Sequence, residues 1–215
     1  MTDHLPDIAS QLGHGLLLTL AMTALVFAGA VVGGVVVAVL RICPIKPLRA
    51  VGAAYVAVFR NVPLLVLLVL FVFGLPDLGL LYPLFATAAT AMALYWAAFV
   101  CEVVRSGVRA VPPGQVEAAR ALGLGFGACL RYVILPQAIR PMVQPLGSIF
   151  IGCALSTSLA AAVGVAELTG QAQLVTLQYD QPLTSFALTT VVYVAITLTS
   201  GLFTGRLERR LAVAR

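Results

Sequence analysis

Five polar side chains interrupt the long apolar runs of this sequence, and they are its candidates for contact with a polar solute: Arg60, Asn61, Glu102, Thr157 and Ser158. Placing a charged side chain at the centre of a bilayer costs about 2.5 to 3.5 kcal/mol on insertion scales. Residues kept there at such a cost are candidates for function. The guanidinium group of Arg60 can hold a carboxylate through two parallel hydrogen bonds.

Each of these residues also has a purely structural interpretation. Arg60 can extend to the membrane surface, or pair with backbone near the kink expected at Pro63. Glu102 can form an ion pair with the arginine one helical turn later in the chain. The hydroxyls of Thr157 and Ser158 can bond to carbonyls of their own helix. The sequence leaves both interpretations open.

Residues typical of catalysis or metal binding are scarce. The sequence has no HExxH motif, no Walker-type glycine loop and no close group of His and Cys, and its two histidines are His4 and His14. The four cysteines show no paired spacing, which predicts free thiols. An intramembrane enzyme would need a clustered nucleophile and base. We therefore expect no catalytic residue, no metal site and no cofactor.

The elements that must position the five polar residues are membrane spans. The chain has 215 residues, 61% of them hydrophobic and 10% charged, whereas about 25% of the residues in a soluble domain are charged. Four apolar runs exceed the ~20 residues that cross a bilayer as a helix. The sequence predicts an all-α, multi-pass membrane protein, with residues 1–215 in a single transmembrane domain. Its predicted spans are approximately 16–40, 50–75, 83–104, 143–165 and 184–205.

The basic residues predict the orientation of these spans, because Lys and Arg accumulate in the short loops that remain in the cytoplasm. Of the 13 Lys and Arg residues, all but Arg60 follow the first, third or fifth predicted span. This pattern places the N-terminus outside and the C-terminus in the cytoplasm. The first apolar run is too long for the core of a signal peptide, so we expect that span to be retained. The net charge of +5 reflects topology, and no nucleic-acid partner is expected. The opposite side would carry the acidic residues Asp3, Asp7, Asp77, Glu167 and Asp180.

The segment Gly114–Gln137, "GQVEAARALGLGFGACLRYVILPQ", mixes charge, glycine and short helical signals. Two prolines precede a predicted helix start, Glu117 lies in its first turn, and Gly123 is placed to end it as a left-handed cap. A second short helix, "ACLRYVIL", is expected to end at Pro136. The two helices of this predicted cytoplasmic loop, residues 112–141, would project from the membrane as a knob or lie flat among the headgroups.

The same segment resembles the EAA loop of ATP-binding-cassette (ABC) importer permeases, in which this loop is the coupling helix that docks on the ATPase. The matching residues carry the Glu-Ala-Ala motif, the following glycine and the closing Leu-Pro. The resemblance assigns docking on an ATPase to Gly114, Glu117, Ala118, Ala119, Gly123 and Pro136.

Three further stretches are similar to the polar amino-acid branch of these permeases: "FRNVPLLVLLVLFVFGLP", "AAFVCEVVRSGV" and "TSLAAAVGVAEL". Phrases such as "EVVRSGV" look most like glutamate-type permeases of Gram-positive bacteria. The resemblance implies a type I importer permease fold in a bacterial plasma membrane, with a polar amino acid, glutamate favoured, as the solute. It also implies three kinds of partner, namely a cytoplasmic ATPase dimer, a second permease subunit and an extracellular solute-binding protein.

The chain departs from this family at Leu155 and Ser156, where members commonly have a Lys-Asp pair before Thr-Ser-Leu. The loss of that pair favours a sister chain over an identical copy as the second permease. No internal repeat is visible, so the chain looks like half of a translocation path. The alternative, a stand-alone secondary transporter or channel, would need internal symmetry or several intramembrane acidic groups.

Overall fold

A computed structural model of the protein describes residues 5–211, and those residues form helices joined by short turns. Asp3, His4 and Arg215, which enter the sequence interpretation, lie outside this range. The helices are α1 (Leu5–Ile42), α2 (Lys46–Asn61), α3 (Leu64–Asp77), α4 (Leu84–Arg109), α5 (Pro113–Ala121), α6 (Phe126–Val163), α7 (Leu168–Tyr179) and α8 (Pro182–Leu211).

Small residues hold α1 and α4 together as a parallel pair at the centre of the bundle. A Cβ atom added at Gly29 would lie 3.0 Å from the Cβ of Ala93, and one at Gly33 would lie 3.2 Å from that of Ala97. Helices that present Gly and Ala to each other approach closely and gain dispersion contacts without relying on the hydrophobic effect. The glycine-rich stretch "GAVVGGVVV" therefore packs against another span of the same chain.

The region predicted as one span over residues 50–75 is two helices. α2 and α3 meet at an angle of 104°. Val62 adopts an extended conformation between them, with φ −95° and ψ 131°, because a residue before proline is disfavoured in the helical region and Pro63 follows. Four helices are long and apolar enough to cross a membrane, and the bent pair gives a fifth span if it counts as one.

The predicted helix end at Pro136 is wrong. The helix α6 runs through this proline, because a π-helical turn over Leu130–Ile134 precedes it and the amide of Leu135 bonds to the carbonyl of Leu130. The wider turn accommodates a residue that lacks an amide hydrogen. Of the two short helices expected in the predicted loop, only α5 is separate, and the second is the start of the long helix α6.

The helix α7 lies where only a connection between spans was expected. It packs between α1 and α8, with a small core formed by Ile8, Leu12, Leu168, Ala172 and Val175. This contact also accounts for the start of α1 at Leu5, about three turns before the predicted span, since the first turns of α1 have α7 to pack against.

The two ends of the bundle differ in charge. α6 is antiparallel to α4, since Gly107 contacts Met142 while Gly152 contacts Trp96. α1 and α4 therefore end where α6 begins. We call this the basic end, and it carries Arg41, Lys46, Arg49, Arg105, Arg109, Arg120, Arg131, Arg140, Arg206, Arg209 and Arg210.

Candidate functional site

The short helix α5 has the capped geometry that its sequence predicts. Proline occupies its first turn, and Gly123 follows its last turn in the left-handed region with φ +81°. The amide of Gly123 donates to the carbonyl of Arg120 at 2.9 Å, and the amide of Leu124 donates to that of Ala119 at 3.1 Å. These bonds satisfy carbonyls at the helix end and turn the chain back towards α6.

The outer surface of α5 carries the charged side chain of Glu117, and the turn after the helix carries large apolar side chains. Gly114, Glu117 and Ala118 are exposed. At the tip, Leu122 is 84% exposed and Phe126 is 74% exposed. Large apolar side chains with this exposure can contact a protein partner or the headgroup region of the membrane.

Two residues that the resemblance assigned to docking do not lie on the exposed surface of α5. Ala119 is 5% exposed and faces the chain itself, where α5 contacts the π-helical turn of α6. Its small side chain therefore seats α5 on the bundle. Pro136 lies within α6 and not in a loop. Leu122 and Phe126 were not selected from the sequence, although both are large apolar residues beside the glycines of the "GLGFG" turn.

Glu102 of α4 is the centre of an arginine cluster. Its carboxylate accepts a hydrogen bond from Arg41 of α1, lies 3.3 Å from Arg105, and lies 3.9 Å from Arg60 of α2. The ion pair with Arg105 was among the sequence alternatives. The contact of Glu102 with Arg41 was not predicted, because the two residues are 61 positions apart in the sequence. Only the position of Arg41 at the end of a span could have indicated this contact.

Arg60 and Asn61 lie at the bend between α2 and α3. The guanidinium carbon of Arg60 is 5.3 Å from the ring centre of Phe99, a cation–π distance, and the side chain is 44% exposed. The side-chain amide of Asn61 donates to the backbone carbonyl of Ala57 at 2.7 Å. Both residues line an open cleft of 430 Å³ together with Arg41. Arg60 is therefore accessible to a solute even though it contacts Glu102.

Thr157 and Ser158 bond within their own helix. The Thr157 hydroxyl is buried and donates to Ala154 at 2.8 Å, and the exposed Ser158 hydroxyl donates to Leu155 at 2.7 Å. Ser156, which replaces the usual aspartate, accepts a 3.1 Å hydrogen bond from the indole of Trp96.

Aromatic rings connect the two groups of polar residues. Trp96 and Phe99 have ring centres 5.3 Å apart. The order of contacts is thus Arg60, Phe99, Trp96 and Ser156, along one side of α4. This row offers a cation, two aromatic faces and a hydroxyl, which are groups that a zwitterionic solute can contact.

Glu167 is a buried acid that sequence reasoning placed only in an outer loop. It is fully buried and caps α7, with its Oε1 atom accepting from the amides of Thr169 and Gly170 at 3.0 Å each. Its Oε2 atom accepts from the Thr19 hydroxyl of α1 at 3.1 Å and from the Tyr193 hydroxyl of α8 at 2.8 Å. One carboxylate therefore ties three helices together at the end opposite the basic end.

Metal and disulfide chemistry have little to build on in the part of the chain that the structure describes. Among residues 5–211 no group of three or more His, Cys, Asp or Glu residues could hold a metal ion. The four cysteines are free, and Cys101, Cys129 and Cys153 are buried. The prediction of free thiols is confirmed.

Comparisons with known proteins identify relatives over nearly the whole chain. Residues 30–213 match the family described as the binding-protein-dependent transport system inner membrane component. The chain is 36% identical to the probable glutamine ABC transporter permease protein GlnM of Bacillus subtilis over 205 residues, covering 95% of each chain. It is 35% identical to the glutamate transport system permease protein GluC of Corynebacterium glutamicum, covering 97% of each.

Solved structures of transporters superpose closely on the fold of this chain. A chain from the crystal structure of an amino acid ABC transporter with histidines superposes with a TM-score of 0.89 at 34% identity, covering 98% of this chain and 99% of that one. A chain of the MetNI methionine ABC transporter in an inward-facing conformation superposes with a TM-score of 0.83 at 24% identity, covering 99% and 100%. At that identity, the second match indicates the fold alone.

Proposed function

The chain belongs to the family of binding-protein-dependent transport system inner membrane components, and from this premise we propose that it carries a polar amino acid, glutamate favoured, and is driven through α5. The membership makes it the permease subunit of an ABC importer in a bacterial inner membrane, with ATP hydrolysis on a separate subunit. Such importers work with ATPase subunits, a second permease and a solute-binding protein.

The coupling role of α5 rests on one observation, the projection of an exposed apolar tip from a rigidly capped helix. Leu122 and Phe126 provide the apolar contact, and Glu117 provides a charge of fixed position beside them. The left-handed cap at Gly123 and the buried Ala119 hold this surface in one orientation. We propose that it inserts into a groove of the cytoplasmic ATPase dimer and transmits the closure of that dimer to α6.

The orientation of the bundle in the membrane follows from its charge. The basic end gathers eleven Lys and Arg residues of the described range, and such residues remain in the cytoplasm. We propose that the N-terminus lies outside the cell and the C-terminus lies in the cytoplasm. This orientation places α5 on the side of the ATPase and α7 on the side of the solute-binding protein.

The proposed solute path passes the bend at Arg60 and Asn61. The open cleft at this bend gives a solute carboxylate access to the guanidinium group, and the Glu102 carboxylate keeps that group in place. Phe99, Trp96 and Ser156 extend the path along α4 towards Thr157 and Ser158. Alternating access would open this path to one side of the membrane at a time.

Glutamate is favoured because relatives across 97% of the chain are named as glutamate permeases and because Arg60 offers a carboxylate partner. Other relatives are named for glutamine and cystine. The hydroxyl of Ser156 and the apolar Leu155 stand where the family has a charged pair, so we propose a sister permease that retains such a pair as the second subunit.

Reconstituted uptake tests the proposed function. The permease would be purified with its ATPase and sister permease, placed in vesicles with the solute-binding protein, and supplied with labelled glutamate, glutamine, cystine and arginine. We expect the vesicles to accumulate glutamate or glutamine, and we expect this uptake to require ATP supplied on the side of the membrane where α5 lies. Uptake that continues without the ATPase would contradict the proposal and support a secondary transporter instead.

The same vesicles test the place of Arg60 in the path. Arg60→Gln removes the guanidinium group, and we expect glutamate uptake to fall about tenfold, since a hydrogen bond to a charged group contributes about 1.5–3 kcal/mol. Arg206→Gln, which removes an exposed charge at the basic end, is the control. Equal uptake by both variants would remove Arg60 from the proposed path.

A further inference from the structure

A second cleft at the basic end is lined by four guanidinium groups. Arg41 comes from the end of α1, Arg49 from α2, and Arg105 and Arg109 from the last turns of α4. The cleft has a volume of 400 Å³. It is separate from the Arg60 and Asn61 cleft, with which it shares only Arg41 and Ala53.

The charges of this cleft are unbalanced. Glu102 pairs with Arg41 and Arg105, whose side chains are 16% and 14% exposed. Within the described residues, no carboxylate lies within 4.0 Å of Arg49 or Arg109. Four positive charges thus face a single carboxylate. Arg49 and Arg109 are exposed, so solvent screens part of their charge, but the cleft keeps a net positive charge that would attract a bound anion.

Apolar side chains flank the cleft on the outside of the bundle. Ile42, Ile45, Leu48 and Val51 are 51%, 53%, 41% and 62% exposed, and they lie on the end of α1 and the first turns of α2 beside Arg49. A ligand at this place would therefore meet guanidinium groups at one end and hydrocarbon contacts along its length. A phospholipid combines those two properties in one molecule.

We propose that the cleft binds the phosphate of an anionic phospholipid from the leaflet at the basic end. Arginine forks bind phosphate oxygens in pairs, and basic pockets between spans are a recurring site for acidic headgroups. The acyl chains would lie on the apolar flank of α2. An acidic segment of a protein would match the arginines but would leave that flank uncovered. The proposal does not depend on which amino acid is carried.

Lipid retention by paired variants tests this site. The intact permease–ATPase assembly would be purified as wild type, as Arg49→Gln with Arg109→Gln, and as the control Arg206→Gln with Arg210→Gln. Both pairs remove two exposed charges from the basic end.

Each assembly would be placed in phosphatidylcholine nanodiscs containing 0 to about 30% phosphatidylglycerol. Bound phosphatidylglycerol would be counted by native mass spectrometry and ATP hydrolysis would be recorded. We expect about tenfold weaker phosphatidylglycerol binding by the Arg49 and Arg109 pair and little change in the control.

The outcomes distinguish a specific lipid-binding site from nonspecific attraction of anionic lipids to the positive charge of the basic end. Equal losses in the two pairs, or undiminished binding by the Arg49 and Arg109 pair, would overturn the proposal. The variant Arg49→Lys with Arg109→Lys keeps both charges and should recover most of the binding; failure to recover it in an assembled transporter would also count against the site. If millimolar inorganic phosphate or an acidic peptide binds in pure phosphatidylcholine discs with the same dependence on Arg49 and Arg109, the lipid assignment is wrong.

Discussion

Replacing Gly123 with valine is expected to lower ATP-driven uptake at least about tenfold while ATP hydrolysis by the assembly continues. Gly123 has φ +81°, and a β-branched residue in the left-handed region costs about 1–2 kcal/mol, enough to shift a population about tenfold. The helix α5 would keep its residues but lose the turn that orients Leu122 and Phe126. Uptake and phosphate release would be measured in the same vesicles, and their ratio reports the coupling.

Gly125→Val is the matched control, since Gly125 lies two residues further along the same turn. It has φ −65° and ψ 165°, which valine adopts readily, and a Cβ atom there would meet no heavy atom within 4 Å. Space is equally available at Gly123, so the two variants differ in backbone conformation and not in steric room. Full coupling in Gly123→Val, or equal uncoupling in both, would show that the left-handed turn does not orient the docking surface.

Replacing Glu167 with alanine is expected to lower the stability of the transporter more than any other single change proposed for this chain. The substitution leaves two backbone amides at the start of α7 and the hydroxyls of Thr19 and Tyr193 without their acceptor. A buried donor without an acceptor costs about 1–3 kcal/mol, so the total is at least about 3 kcal/mol. For a chain of this size that lowers the midpoint of thermal unfolding by about 6 °C or more.

The other end of α7 supplies the control. Asp180→Asn removes a negative charge from an exposed residue with φ 51°, a conformation that asparagine tolerates. Glu167→Gln keeps one acceptor oxygen and should lie between wild type and Glu167→Ala. Thermal unfolding of the purified assembly would be followed for all three variants. An unchanged midpoint for Glu167→Ala would mean that the four hydrogen bonds do not hold α7 to α1 and α8.

Features that depend on local sequence could be predicted before the structure. The apolar runs indicate the long helices because a span needs about 20 such residues. The capped helix at Pro113–Ala121 follows from the two prolines at its start and Gly123 after it. Pro63 indicates a kink, although the angle of 104° depends on the packing of α3 against α4 and not on the proline alone.

Other features depend on contacts between distant residues and were not predictable in this way. Proline after a short helix usually marks an end, but the π-helical turn before Pro136 allows α6 to continue. The pairing of Arg41 with Glu102 joins residues 61 positions apart. α7 was missed because it has no continuous apolar run, and its buried side chains become recognisable only when α1 and α8 surround them.

The docking of α5 on the ATPase is the central claim, and cross-linking from position 117 tests it most directly. A Glu117→Cys variant would be made in the full assembly, labelled in right-side-out and inverted vesicles, and treated with a short bifunctional reagent. Glu117 is exposed, and three of the four native cysteines are buried and therefore poorly reactive. The account predicts labelling only in inverted vesicles and a cross-linked product that contains the nucleotide-hydrolysing subunit. Labelling from outside the cell, or no product with that subunit, would contradict it.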